Sequence, residues 1–136
     1  MRIISGTYKG KTLHAPKNLP VRPTTDFAKE ALFNILENEF DIPQLQVLDL
    51  FCGTGNISYE FASRNAKEVV SVDANSGCIR FVKATSQALQ LKQIKEIKQD
   101  VFRLLNKPFQ DFDIIFADPP YQLKELTQLP DLVFKN

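Results

Sequence analysis

Apolar positions change period several times along the chain. Between residues 26 and 40 they recur at helical spacing, and Phe27, Ala28, Ala31, Leu32, Ile35, Leu36 and Phe40 are expected to form one apolar face. Thr24, Thr25 and Asp26 offer oxygens to cap the start of that helix. Asp41 to Gln44, with Pro43, reads as a loop. Short apolar runs then alternate with amphipathic ones. Leu45–Phe51 predicts a strand, followed by Cys52-Gly53-Thr54-Gly55 and a helix over about Ile57–Asn65. Glu68–Asp73 predicts a second strand and Ser76–Gln90 a second helix of this series. Ile94–Lys98 is a weaker strand, Val101–Leu105 a helical turn and Phe112–Ala117 a strongly apolar fourth strand. Strands alternating with helices imply an open α/β sheet with mostly parallel strands.

The two ends read differently. Residues 1–24 carry Gly6, Gly10, Pro16, Pro20 and Pro23. Arg2–Ser5 and Lys11–His14 are expected to pair as a small hairpin around Tyr8-Lys9-Gly10, and Pro16 to Pro23 reads as an extended linker. This gives an N-terminal arm, 1–24, and a second unit, 25–136. Gln122–Asn136 begins a further helix containing Pro130. A doubly wound sheet commonly has five or more strands. Four leave Phe112–Ala117 as an apolar edge, open to another chain or to missing strands.

Composition adds limits. At 136 residues and 43% hydrophobic the chain is one domain, and no run of 18 apolar residues offers a transmembrane helix. The first residues, Met1-Arg2-Ile3-Ile4-Ser5-Gly6, lack the apolar core of a signal peptide. Cys52 and Cys78 are too few for a disulfide framework, so a reducing cytoplasm is the expected compartment. No metal-ligand spacing appears, so no metal is expected. Net charge is +1, but it is unevenly placed. Residues 1–25 hold Arg2, Lys9, Lys11, Lys17 and Arg22 and no acid, against 12 basic and 16 acidic groups in the rest. Such an arm suits an anionic partner, or is simply a solvated terminus.

Candidate chemistry sits at the ends of the strands. Gly53 and Gly55 follow the first strand, where a backbone can bend sharply and approach a ligand at a helix N-terminus. This is neither a phosphate-cradling P-loop nor a good dinucleotide fingerprint, because the third glycine position is Ser58. Asp49, at the strand end, suits a cationic ligand and opposes a pyrophosphate. Asp73 ends the second strand, where an acid accepts from ribose hydroxyls or caps the next helix with Asn75 and Ser76. Asp100 ends the third strand and either accepts from an adenine amino group or caps the turn that follows. Together these acids describe adenosine without phosphates and with a positive charge, which is S-adenosylmethionine. Asp118-Pro119-Pro120-Tyr121 follows the fourth strand. It is a rigid set of hydrogen-bond acceptors beside an aromatic face, suited to an exocyclic amine of a base stacked on Tyr121. Acceptors there orient a poorly nucleophilic nitrogen and stabilise its developing positive charge. The plainer alternative is a strand-ending turn with a surface Tyr. His14 lacks a partner for catalysis, and Cys52 and Cys78 read as packing residues. Phe27, Phe33, Phe51, Phe61, Phe81, Phe112 and Phe116 read as core.

Leu48-Asp49-Leu50-Phe51-Cys52-Gly53-Thr54-Gly55, with Asp73, Asp100 and Asp118-Pro119-Pro120-Tyr121, resembles the class I S-adenosylmethionine-dependent methyltransferases of exocyclic amines. Arg2-Ile3-Ile4-Ser5-Gly6, Lys9-Gly10, Arg22-Pro23-Thr24 and Lys29-Glu30-Ala31-Leu32-Phe33-Asn34-Ile35-Leu36 narrow this. They are similar to the bacterial 16S rRNA guanine-N2 methyltransferase family over residues 2 to about 126. The resemblance implies a Rossmann-like fold whose last strands are missing here, and methyl transfer to the 2-amino group of a guanine in the small ribosomal subunit or its assembly intermediate. It also implies roles. Asp49, Phe51, Gly53 and Gly55 would hold the methionine part of the cofactor, Asp73 the ribose, and Asp100 and Val101 the adenine. Asp118, Pro119, Pro120 and Tyr121 would grip the guanine, with Arg22 and Thr24 near the active site. Lys9, Lys11 and Lys17 are assigned to RNA phosphates from charge. Departures are Cys52 and Thr54, where the family often has Ala and Ser. A monomer is expected unless the open sheet edge pairs. An adenine-N6 methyltransferase, a protein glutamine methyltransferase and a non-catalytic RNA-binding module are the competing readings.

Overall fold

A computed structural model describes residues 1–21, 24–119 and 129–135. Four short strands form one parallel sheet: β1 (Gln46–Leu50), β2 (Glu68–Asp73), β3 (Ile94–Lys98) and β4 (Ile114–Ala117). Their order is β3-β2-β1-β4. Helices α1 (Asp26–Glu39), α2 (Asn56–Ser63), α3 (Ser76–Ala88), α4 (Val101–Leu105) and α5 (Leu129–Lys135) surround it. The predicted loop at Asp41–Gln44 is a 3-10 turn over Ile42–Gln44.

Because both faces are covered, the two central strands are apolar on alternate sides. On one face Val47 and Val69 meet Phe33, Ile57, Phe61 and Val82, from α1, α2 and α3. On the other, Leu48, Leu50, Val70 and Val72 meet Val101, Leu105 and Leu129, from α4 and α5. β4 is an edge of the sheet among the described residues, paired to β1 alone.

The strand order matters for function. From β1 the chain steps to β2 and β3 on one side, then crosses to β4 on the other. The connections at the carboxyl ends of β1 and β4 therefore diverge, opening the crevice where such sheets bind ligands.

Two expectations need correction. Thr25 does cap α1, accepting from the Ala28 N–H at 3.2 Å. Yet the helix buries Lys29 and Phe33, and Phe27, expected in the core, is 84% exposed, with Ile35 also exposed. The true inner face is set by α2, where the Phe61 ring stands edge-on to Phe33 at 4.6 Å. The predicted hairpin forms, but over a shorter span: Arg2 and Thr12 bridge antiparallel, Ile3 N–H donates to the Lys11 carbonyl, Gly10 N–H to the Ile3 carbonyl and Leu13 N–H to the Met1 carbonyl. Beyond Ile3 the backbone turns to α2: Ile4 and Ser5 N–H donate to Glu60, Thr7 N–H to the Ser63 carbonyl, and Tyr8 N–H to the Ser63 hydroxyl. Gly6, at φ 88°, lies so close to the Ser63 carbonyl that a Cβ would sit 1.9 Å from its oxygen. Only glycine fits there.

Candidate active site

The chemistry-bearing residues stand in a row along the carboxyl end of the sheet. In strand order they are Asp100 after β3, Asp73 closing β2, the Gly53–Gly55 loop after β1, and Asp118-Pro119 after β4. Registry brings the last two together, since Leu50 pairs with Ala117 across β1 and β4. Neighbouring strands are spaced at about 4.8 Å, so the row has nucleoside dimensions. Arg22, Pro120 and Tyr121 lie outside the described residues.

The loop is shaped by three positive φ angles in five residues: Phe51 at 56°, Gly53 at 56° and Gly55 at 92°. Phe51 is the costly one, since a side chain in this region is disfavoured by about 1–2 kcal/mol. It is held by packing into the α4 side of the core, edge-on to Phe102 at 6.1 Å. Gly55 occupies the N-cap position of α2, and no side chain caps that helix. Its first N–H groups are therefore oriented toward polar or anionic groups at the loop.

Asp73 ties the site together. One carboxylate oxygen accepts from the Gly53 N–H at 2.9 Å and the other from the Asn75 N–H at 2.9 Å. Asn75, rather than Asp73, caps α3, accepting from the Cys78 N–H. Asp100 is exposed and caps α4, accepting from the Arg103 N–H at 3.0 Å. Val101 is buried against Leu50 and Val72 and presents no side chain at the surface.

Asp49 is placed differently from the sequence expectation. It is 1% exposed and lies beneath the loop, not open toward it. The Ser58 hydroxyl donates to its carboxylate at 2.6 Å, and Ser71 lies 2.6 Å from the same hydroxyl. Burial pushes its carboxyl up to about 7, against the opposing effect of the Ser58 bond. Because the folded-state value is raised, ionisation costs stability as pH climbs from the ordinary carboxylate range to about 7. Asp49→Asn is therefore expected to raise thermal stability more at pH 8 than at pH 5, by on the order of 2 kcal/mol. Equal gains in calorimetry at the two pH values would remove the buried charge as the cause.

The arm reaches the same end of the sheet. Val21 stands 3.2 Å from where a Cβ on Gly53 would lie, and Leu19 packs on Gly77 at the start of α3. Thr24 accepts from the Asn56 side-chain amide at 2.9 Å. Lys9, Lys11 and Lys17 are exposed.

Sequence spacing hardly signals what lies behind the loop. Lys29, Asn56, Glu60 and Arg64 form a buried polar cluster between α1, α2 and the arm. Lys29 Nζ lies 3.2 Å from Glu60 and donates to Asn56 at 2.8 Å and to the Arg2 carbonyl. Arg64 Nε donates to Glu60 at 2.8 Å and its guanidinium lies 4.6 Å over the Phe33 ring. Burial lowers the Lys29 ammonium from its ordinary value, and Glu60 opposes that. The i,i+4 spacing of Glu60 and Arg64 was the one local hint.

Comparison with known proteins agrees with this geometry. The family model described as conserved hypothetical protein 95 matches residues 1–136. The ribosomal RNA small subunit methyltransferase D of Buchnera aphidicola is 34% identical over 136 residues, which are all of this chain and 69% of that protein. The protein of the same name from Escherichia coli is 33% identical over 144 residues, covering 68% of its length. The solved structure of the Escherichia coli protein yhhF superposes with a TM-score of 0.89 at 26% identity, over the whole chain and 72% of that one. Matched from end to end, the chain belongs to the conserved hypothetical protein 95 family, with the ribosomal RNA small subunit methyltransferase D proteins among its members.

Proposed function

We propose that this protein transfers a methyl group from S-adenosylmethionine to the exocyclic 2-amino group of a guanine in small-subunit rRNA. The observation that carries the reading is the single row of Asp100, Asp73, the Gly53–Gly55 loop and Asp118-Pro119 at the point where the strand order reverses. Its relatives' names support methylation of small-subunit rRNA. The guanine nitrogen rests on the resemblance and on the acceptor-rich turn.

The donor set fits the cofactor. The side-chain-uncapped start of α2 suits a carboxylate, and Asp73 keeps lone pairs beyond its two backbone bonds for ribose hydroxyls. Asp49 lies beneath the loop, and with its carboxyl raised to about 7 it adds negative charge there only in its ionised form. When bound, S-adenosylmethionine brings an activated methyl on a sulfonium, a leaving group that needs no acid. The protein's own task is then positioning. Asp118 and the carbonyls of the proline turn accept from the amine hydrogens, aiming the nitrogen lone pair and stabilising the positive charge it gains. Tyr121 stacks on a base turned out of its helix. Lys9, Lys11 and Lys17 neutralise phosphates of the RNA.

Incubation of small-subunit particles with labelled S-adenosylmethionine, followed by nucleoside analysis, tests the reading. N2-methylguanosine is the expected product; N6-methyladenosine would transfer the site to the competing amine, and no label would leave a binding module. Asp73→Ala should weaken S-adenosylmethionine binding about 10- to 100-fold in calorimetric titration, as it removes both the ribose acceptor and the Gly53 tie. Equal affinity would take Asp73 out of the pocket. Neutralising Lys9, Lys11 and Lys17 together should lower the slope of log affinity against log salt by up to about 0.9 per lost duplex phosphate contact. An unaltered slope would assign the arm another partner.

A further inference from the structure

Asn56 is the first residue of α2, one position after Gly55, and is 6% exposed. Both ends of its side-chain amide are used. Nδ2 donates to the Thr24 carbonyl at 2.9 Å, and Oδ1 accepts from Lys29 Nζ at 2.8 Å. Lys29 is itself fixed, fully buried between Glu60 and the Arg2 carbonyl. An amide presents a donor and an acceptor in one planar fork, whereas Asp presents acceptors alone and Ala neither. The arm thus meets the loop twice: at Val21, against Gly53, and at Thr24, against Asn56.

We infer that Asn56 is a positioning residue that latches the arm to the cofactor loop, setting Thr24 in register with Gly53–Gly55. The inference deepens the function proposed above and rests on it for the RNA-side consequence. The latch itself rests on geometry alone. Its position explains why a polar side chain is buried at the start of a helix whose neighbours Ile57 and Phe61 are core. A buried amide with either end unpaired would cost stability without return, and here each end reaches a different element. With Lys29 tied to Glu60 on α2 and to Arg2 in the arm, α1, α2 and the arm share one set of bonds. RNA engaged by the arm is thereby held at a fixed distance from the amine-gripping turn.

Asn56→Asp tests this cleanly. It keeps the acceptor for Lys29 and the shape of the side chain, but sets an oxygen against the Thr24 carbonyl. Trypsin cleavage after Lys17 reads release of the arm without any methyl transfer. It is expected to quicken about tenfold, the equivalent of one lost hydrogen bond, together with a modest fall in melting temperature from the unpaired Thr24 carbonyl. Transfer to small-subunit particles should show a KM for particles raised about tenfold, with kcat and S-adenosylmethionine affinity within about twofold of the parent. Asn56→Ala introduces no charge and should release the arm to at least the same extent. A merely structural role would lower the melting temperature without quickening Lys17 cleavage and would leave KM and kcat unsplit. Unchanged Lys17 cleavage in both variants overturns the latch. Faster cleavage in a protein whose parent methylates no rRNA upholds the latch and overturns the proposed function.

Discussion

Asp118→Ala is expected to abolish methyl transfer to small-subunit particles, a loss of at least about a hundredfold, while S-adenosylmethionine still binds. Asp118 is exposed at the end of β4, so its removal leaves the core untouched. What it takes away is the charged acceptor at the amine. The neighbouring carbonyls of the turn remain, but they carry no full charge to offset the positive nitrogen. Cofactor affinity should survive because Asp73, the Gly53 N–H and the start of α2 belong to β1, β2 and α2. Tyr121→Ala should lose transfer in the same direction, since base stacking contributes about 1–3 kcal/mol, and Tyr121→Phe should retain most activity. Transfer of labelled methyl and calorimetric binding, measured on one preparation, separate the two steps. Unchanged transfer in Asp118→Ala would end the assignment of this turn to the amine.

The features readable in the sequence were those made by neighbours along the chain. β2 falls on its expected residues because a short apolar run bounded by polar residues suits a strand of a covered parallel sheet, and β3, a mostly exposed edge strand, falls on its expected residues too. The row of loop and acids was visible because each member directly follows its own strand. The arm's own hairpin was legible too, but its docking was not, because the partners of Ile4, Ser5 and Tyr8 lie 55 to 58 residues away on α2. Nothing local says that Ile4 and Ser5 N–H will find Glu60 and not the opposite half of a hairpin. α1 misled for a related reason. Counting apolar positions placed Phe27 and Ile35 inward, yet the fully buried side chains of α1 are Phe33 and Lys29. A lysine enters a core when a carboxylate waits for it, and Glu60 lies 31 positions further on. Asp49 shows the same limit: its place in the strand was plain, but Ser58 and Ser71, which turn it beneath the loop, come from α2 and β2.

Glu60 is where the largest loss of stability is expected. Its two oxygens take the Ile4 N–H at 2.9 Å, the Ser5 N–H at 3.1 Å and Arg64 Nε at 2.8 Å, with Lys29 Nζ at 3.2 Å. Glu60→Ala leaves Lys29 without its carboxylate in a fully buried position and orphans two backbone donors. Breaking a buried pair by removing one partner costs about 3–5 kcal/mol. Against a total stability of about 5–15 kcal/mol for a domain, that loss approaches unfolding. The arm should loosen first, because its tie to α2 runs through this carboxylate. Glu60→Gln keeps the shape and one acceptor, so a smaller loss is expected, with Lys29 driven further toward its neutral form. The pair Lys29→Met with Glu60→Leu should recover much of the deficit, since apolar side chains of similar volume avoid the desolvation that both charges incur. Urea denaturation of the three variants and the parent gives the comparison. A loss below about 1 kcal/mol in Glu60→Ala would mean that water reaches Lys29 and that the cluster does not bind the arm. A double variant no better than Glu60→Ala would place the deficit in the orphaned Ile4 and Ser5 donors and not in the unpaired ammonium.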